Sequence, residues 1–460
     1  MPESAEPSGT GADGQAGTAM PSRRDLLRRV AAGGAAAAGG LAVGAPVFAG
    51  GQGRTVPPDG GADSSPDSGT HPTPPDGVAT DDCTPSGAPG VVPFYGELQA
   101  GIATPAQDRL AFAAFDLATT DLDAVRVMLG TWAAAAARMA AGEPIGAIET
   151  RPERPPIDTG EAFGLDPANL TITVGFGPGF FDERLGLQSS KPALLEDLPT
   201  FRNDVIDPRR SGGDLCVQAC SNDPQVAFHV VRNLARIGRG TVTTRWSQLG
   251  FGRTSSTSVA QSTPRNLFGF KDGTNNLKAE ELEQMGEFVW VGDDIDQDWM
   301  VGGTFLVARR VRMLIESWDN TSLFEQERVF GRIKDSGAPL TGTAEFDPVD
   351  LDAVGADGAP VIDGLSHIRL AGPDKFGGRM MLRRGYSFTD GIDPLTGRLD
   401  AGLFFIAFVR DPATQFIPVQ AALGRDDLLN EYIKHNGSGL FAVPPGLSEV
   451  GDWFGKRFLT

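Results

Sequence analysis

Cysteine and histidine are scarce in this 460-residue chain, with three Cys and four His. Three cysteines cannot build a disulfide framework, and no paired-cysteine spacing accompanies the histidines, which excludes the familiar zinc modules. Positive charge is also short. Forty Lys and Arg face 59 Asp and Glu, for a formal charge of −19 and a pI near 4.7. That balance argues against nucleic acid and anionic membranes as main partners. The chain has no strongly apolar run of membrane-spanning length, because residues 30–48 are diluted by Ala and Gly. Glycine, in contrast, is abundant at 60 residues, so short glycine motifs arise by chance. With 40% apolar and 22% charged residues, the chain can bury the core of one large domain or two ordinary ones.

The N-terminus reads as an export segment. Ser22-Arg23-Arg24-Asp25-Leu26-Leu27, then Arg28 and Arg29, precede the weakly apolar run, and Val47-Phe48-Ala49 offers a small-residue exit. This order describes a signal peptide over residues 1–49. The paired arginines followed by two leucines resemble a twin-arginine signal, which implies a periplasmic or extracellular destination without stable membrane insertion. An uncleaved anchor helix is the alternative. That route carries proteins that fold before crossing, often with a cofactor inside, which favours a cofactor enzyme. Residues 50–92 hold Gly, Pro, Ser, Thr and Asp with almost no large apolar side chain, and are expected to form a disordered acidic linker. Cys83 and His71 fall there and need no role.

From Pro93 onward the pattern is α+β. Strands are expected over residues 109–117, 170–174, 214–220 and 241–249. Helices are expected over 122–139, with Val125, Leu129 and Trp132 on one face, and over 224–236, capped by Asp223 with Pro224 in its first turn. The order β-α-β-β-α-β is a ferredoxin-like unit. A second unit begins at residue 303: strands 304–315, 379–387 and 403–409, a short helix 322–332, and an amphipathic helix 426–434 ending at Asn436-Gly437. Two ferredoxin-like halves, 93–302 and 303–460, are therefore expected, with antiparallel sheets packed together inside and helices outside. The irregular stretch 250–302 is too long for an ordinary connection and is suspected of function.

Several attractive motifs dissolve on inspection. Gly175-Phe176-Gly177-Pro178-Gly179-Phe180 lacks the last glycine of a dinucleotide loop and reads as a turn. Asp294, Asp296 and Asp298 begin like a calcium loop but lack its glycine and its terminal glutamate. Cys216 and Cys220 share one strand face and suit plain burial. His229 suits a core or interface position, and His435 suits the last turn of the helix expected at 426–434. His367 is different. It follows Asp363-Gly364-Leu365-Ser366 at a helix start and stands between apolar neighbours, a setting that suits an axial haem ligand.

Two further segments carry chemistry. Asn266-Leu267-Phe268-Gly269-Phe270-Lys271-Asp272-Gly273-Thr274-Asn275-Asn276 lies in the long connection and reads alone as an ordinary turn. Met380-Met381-Leu382-Arg383-Arg384-Gly385-Tyr386 is a strand with two arginines. Adjacent strand residues face opposite ways, so one arginine points inward, where it needs an anion or a developing charge.

At these residues the sequence resembles the dye-decolourising peroxidases, most closely their exported deferrochelatase/peroxidase subgroup of bacterial iron uptake. The likeness includes Phe94-Tyr95-Gly96, Gln99-Ala100-Gly101-Ile102 and Asp214-Leu215-Cys216-Val217-Gln218. It continues through Gly269 to Gly273, Phe330-Gly331-Arg332, Gly337-Ala338-Pro339-Leu340, His367-Ile368-Arg369-Leu370-Ala371 and Leu382-Arg383-Arg384-Gly385-Tyr386. The resemblance implies one haem b per chain, held between sheet and helices of a dimeric α+β barrel type of fold. It implies His367 as the proximal iron ligand, Asp272 as the distal acid and Arg383 as the distal arginine, with Gly273, Thr274 and Asn275 lining the haem. The family's histidine segment runs on through Asn-Pro-Arg, whereas this chain has Gly372-Pro373-Asp374. Asp374 cannot pair with a haem propionate, so Arg332 or Arg369 is the expected substitute. The implied reaction reduces hydrogen peroxide through an oxoferryl intermediate and oxidises dyes, phenols or other small-molecule reductants, with activity strongest below neutrality. Iron release from haem with the porphyrin intact and a haem carrier without turnover are the alternatives. Iron-uptake components and a homodimer are the partners the resemblance suggests. Tyr386, near Arg383, is expected to serve core packing.

Overall fold

The computed structural model describes residues 90–459, so the export segment and most of the expected linker, with Cys83 and His71, lie outside the described residues. The chain forms strand β1 (Arg109–Leu117), helix α1 (Leu122–Ala140), strands β2 (Thr171–Phe176) and β3 (Leu215–Ser221), helix α2 (Pro224–Ile237) and strand β4 (Val242–Arg253). A short helix α3 (Leu282–Phe288) lies within the long connection to β5 (Thr304–Met313). Then come α4 (Ile315–Asp319), α5 (Leu323–Phe330), α6 (His367–Leu370), β6 (Leu382–Arg383), β7 (Tyr386–Ile392), β8 (Leu399–Val409), α7 (Phe416–Asp426) and β9 (Ile433–Val443).

Local chemistry accounts for the helices of the first half. The Asp121 carboxylate accepts from the amides of Asp123 and Ala124 and starts α1. Asp223 accepts from Gln225 and Val226 in the same way, with Pro224 at the first turn of α2. Both helices press their apolar stripes on the sheet, and the Trp132 indole of α1 donates to the Leu234 carbonyl of α2 at 2.9 Å.

The strands run in the order β2-β3-β1-β4 in the first half and β9-β5-β8-β7 in the second, each the antiparallel order of a ferredoxin-like unit. Pairing of Phe176 in β2 with Ala442 in β9, and of Phe251 in β4 with Ser387 in β7, joins the halves at both edges and closes the sheet. Closure removes the exposed edges of the central strands. The barrel interior is packed solid. Phe112 stacks on Trp246 at 5.2 Å, and Phe404, Phe441, Ile406, Cys216, Cys220 and the fully buried Tyr386 fill the rest. Burial pushes the thiols of Cys216 and Cys220 upward, as inert packing requires. The cavity with room for a ligand lies instead on the outer face.

The structure corrects three expectations. The helix expected at 426–434 is absent. α7 ends at Asp426, Asp427 starts a single 3₁₀ turn, and Ile433–Val443 is strand β9. His435 is therefore a buried strand residue rather than a helix-end cation; burial pushes its pKa down to about 3, helped by Arg309 and Lys434. The strand expected at 379–387 breaks at Arg384-Gly385 into β6 and β7. A Cβ on Gly385 would come within 2.7 Å of Thr254 Oγ1, so this close approach requires glycine. Ile315 opens α4 instead of ending β5. The stretch from Gly177 to Phe181 holds a 3₁₀ turn, and no acidic or histidine cluster able to hold a metal ion occurs among the described residues.

Candidate active site

The outer face of the second half carries a cavity of about 270 Å³ walled by Val311, Phe330, Leu403, Phe405, Phe416 and Leu423. His367, Asp272, Gly273, Thr274, Asn275, Arg332 and Arg383 all line it, so the long connection and the two C-terminal segments meet there. Arg369 does not. Its guanidinium donates to the carbonyls of Leu351 and Ile362, and Asp374 is exposed to solvent. Of the two arginines expected to replace the missing basic residue, only Arg332 reaches the cavity.

His367 opens α6, with Ser366 in extended backbone at the N-cap. The helix can sit close because α5 ends at Gly331, in the left-handed region at φ +76°, where a Cβ would overlap Ile368 Cγ2. The ring packs 6.1 Å from that of Phe330. Its Nδ1 lies 2.6 Å from Asp427 Oδ2, and the other oxygen of Asp427 accepts from the Leu429 amide at 2.8 Å. Burial pushes the His367 pKa down, but the facing Asp427 carboxylate outweighs it and the net direction is upward. With Nδ1–H donating to Asp427, Nε2 is the nitrogen left to ligate, which is the tautomer a metal ligand needs.

The second polar group is built from the long connection and β6. The Asp272 amide donates to the Pro264 carbonyl at 2.9 Å, and Gly273 follows at φ +89°, its α-carbon so near Ser255 that a Cβ would lie 3.0 Å from Ser255 Cα. Asp272 Oδ1 accepts from Arg383 Nη1 at 2.9 Å, and Oδ2 from Asn266 Nδ2 at 3.3 Å. Asn276 fixes the arginine's backbone, accepting from the Arg383 amide at 2.8 Å and donating to its carbonyl at 2.9 Å. Arg384 turns the other way. Its fully buried guanidinium donates to the Thr104 and Pro105 carbonyls, Gln107 and Thr257, tying the first half to the strand that carries Arg383.

These residues fit a haem. The His367 imidazole stands in an apolar cavity that the buried Arg309 and the half-buried Arg332 also line, and an arginine–carboxylate pair shares the space. Sequence reasoning missed Asp427. Nothing local connects an aspartate after α7 with a histidine 60 residues earlier; only the fold brings them together.

An imidazole backed by a carboxylate, sharing an apolar pocket with an arginine–carboxylate pair, fits the class of haem peroxidases. The comparisons narrow the class. The chain belongs to the Dyp-type peroxidase family: the family's N-terminal domain matches residues 99–252 and its C-terminal domain residues 263–448. It is a haem enzyme that reduces hydrogen peroxide at the expense of small reductants. It is 36% identical over 373 residues to the deferrochelatase of Escherichia coli K12, covering 80% of this chain and 87% of that protein. The deferrochelatase of Yersinia pestis matches at 36% as well, over 80% and 84% of the two chains. Among solved structures, ferric DtpA from Streptomyces lividans is 40% identical with a TM-score of 0.73, covering 82% of this chain and 99% of that one. The DyP-type peroxidase of Cellulomonas bogoriensis is also 40% identical, with a TM-score of 0.72 and coverage of 81% and 99%. DypB of Rhodococcus jostii, solved in complex with heme, is 21% identical at a TM-score of 0.52 and bears on the fold alone.

Proposed function

We propose that His367 is the axial ligand of the haem and that Asp272 and Arg383 carry out the proton and charge steps of peroxide cleavage. The Asp272–Arg383 pair, 2.9 Å apart in the cavity that His367 lines, is the observation that carries this reading. Haem, when bound, supplies a redox-active iron with one position open to peroxide. Asp427 holds His367 in the tautomer that ligates. The Asp272 carboxylate takes the proton from the inner oxygen of hydrogen peroxide and returns it to the outer oxygen. The Arg383 guanidinium stabilises the negative charge that grows on the departing oxygen, and water leaves. Gly273, Thr274 and Asn275 line the cavity beside Asp272 and would hold the haem there, and Arg332 would pair with a propionate.

Rapid mixing of haem-loaded protein with peroxide tests these roles. Asp272→Asn is expected to slow the peroxide step by about 10²–10⁴-fold, the usual worth of a positioned proton acceptor. An unchanged rate, or a wild-type rate flat from about pH 4 to pH 8, would remove Asp272 from that role.

A second reading is favoured by the likeness to proteins named deferrochelatase: release of iron from haem with the porphyrin intact, in company with iron-uptake components. Metal-free porphyrin recovered after incubation with haem and a reductant would support it, and recovery of intact haem alone would not. Export belongs to the same proposal. No helix among the described residues is long and apolar enough to cross a membrane. Replacing Arg23 and Arg24 together by lysine is expected to retain the protein in the cytoplasm; unimpaired export would contradict a twin-arginine route.

A further inference from the structure

Glu345 lies in the long connection between α5 and α6, outside every motif described above. Its side chain is only 10% exposed, yet it does not line the cavity. It touches both flanks of the Asp272-Gly273 turn. Thr274 Oγ1 donates to Glu345 Oε1 at 3.1 Å, and the Lys271 ammonium pairs with Oε2. The backbone carbonyl of the same residue accepts from Arg332 Nη1 at 3.1 Å.

The surroundings are shaped for this arrangement. Lys271 reaches Glu345 by running past Gly337, where a Cβ would stand 2.6 Å from Lys271 Cδ. Arg332 Nη1 also donates to the Gly337 carbonyl at 2.7 Å, fixing the passage from the other side. Burial pushes the Glu345 carboxyl up, but hydrogen bonds from Lys271, Thr263 and Thr274 outweigh it and hold it below the ordinary carboxylate range. Glu345 is thus an anion, and charge-assisted hydrogen bonds to it are the strong kind. Asp272 itself has few restraints. Its side chain accepts only from Arg383 and, at a longer 3.3 Å, from Asn266.

We infer that Glu345 is a positioning residue for the peroxide reaction: its carboxylate clasps Lys271 and Thr274 and thereby sets the place of Asp272 between them. The inference rests on the proposed role of Asp272 and adds the residue that holds it. A displacement of about 1 Å in a proton-transfer group costs on the order of a hundredfold in rate, so the clasp has a kinetic consequence without contact to the reacting atoms.

The test uses the full-length, haem-loaded protein, with the Soret spectrum and melting temperature of each variant recorded to show that haem is seated and the fold kept. Glu345→Ala is expected to lower the second-order rate constant for peroxide by about tenfold to a hundredfold. Glu345→Gln, which still accepts from Thr274, should fall between, and Thr274→Val should give a milder loss in the same direction. In an Asp272→Asn background Glu345→Ala should cost nothing further, since residues acting as one unit are not additive. Limited proteolysis of the apoprotein supplies a readout free of activity: the 263–276 segment should be cut faster in Glu345→Ala. A Glu345→Ala rate within about twofold of wild type, or a full additional loss in the Asp272→Asn background, would overturn the inference. An Asp272→Asn protein that reacts at the wild-type rate would overturn the underlying reading and this one with it.

Discussion

His367 enters the cavity with one ring nitrogen already committed, and that commitment governs the other. The 2.6 Å contact to Asp427 Oδ2 orients the imidazole and makes its other nitrogen the more basic, as the proposed iron ligand requires. Asp427→Asn keeps an acceptor near Nδ1 but removes the charge. The reduction potential of the bound haem should rise in this variant, because a less electron-rich imidazole stabilises ferric iron less. Asp427→Ala should weaken haem retention or activity by about 10–100-fold. A potential equal to wild type in Asp427→Asn would show that the carboxylate serves the 3₁₀ turn alone. At this scale the motifs brought Asp272, His367 and Arg383 forward, and the fold gathers all three at one cavity. The sequence was silent where a partner arrives from a distant element, as Asp427 and Glu345 do. An isolated aspartate or glutamate in a chain with 59 acidic residues carries no mark of its future neighbour.

At the scale of elements, the junction of α5 with α6 sets the position of the histidine. Gly331 ends α5 with positive φ and leaves room for Ile368, the residue after His367. Gly331→Ala is therefore expected to destabilise the protein by about 1–3 kcal/mol through strain and overpacking. It should also shift the ferric haem spectrum as α6 moves. Chemical unfolding measures the first effect and absorption the second; a variant unchanged in both would mean that α6 is not held by this contact. The helices of the first half were legible because each carries its own cap, Asp121 and Asp223, beside a regular apolar stripe. The segment 426–434 misled because Leu428, Leu429 and Ile433 are spaced like a helical face. The tertiary structure wins there. β5 offers a partner along its whole length, and Gly437 lets β9 press against it, a Cβ there meeting Arg310 Cβ at 2.9 Å. The same pressure of neighbours splits β6 from β7 at Gly385, which no periodicity could have signalled.

Across the whole molecule, closure of two ferredoxin-like sheets into one barrel decides where chemistry can happen. The interior is filled by aromatic and aliphatic side chains, so the apolar cavity opens between the outer face of the second half and its helices. The first half contributes through the chain it sends out. The connection after β4 carries Asp272 across to that cavity, and Arg384 anchors the loop at Thr104 and Gln107 to the strand that bears Arg383. The order of strands and helices made both halves readable in the sequence, because each half repeats one simple pattern of local periodicities. The closure was not readable, since it depends on a few pairings between residues more than a hundred positions apart, such as Phe251 with Ser387. The cavity is expected to hold a haem that reacts productively with peroxide. The most direct test is the absorption spectrum of the haem-loaded protein before and after one equivalent of hydrogen peroxide. A ferric haem spectrum that converts to a distinct oxidised species, and returns to ferric when a reductant is added, is the predicted result. A folded protein that takes up no haem, or one whose haem peroxide only bleaches, would contradict it.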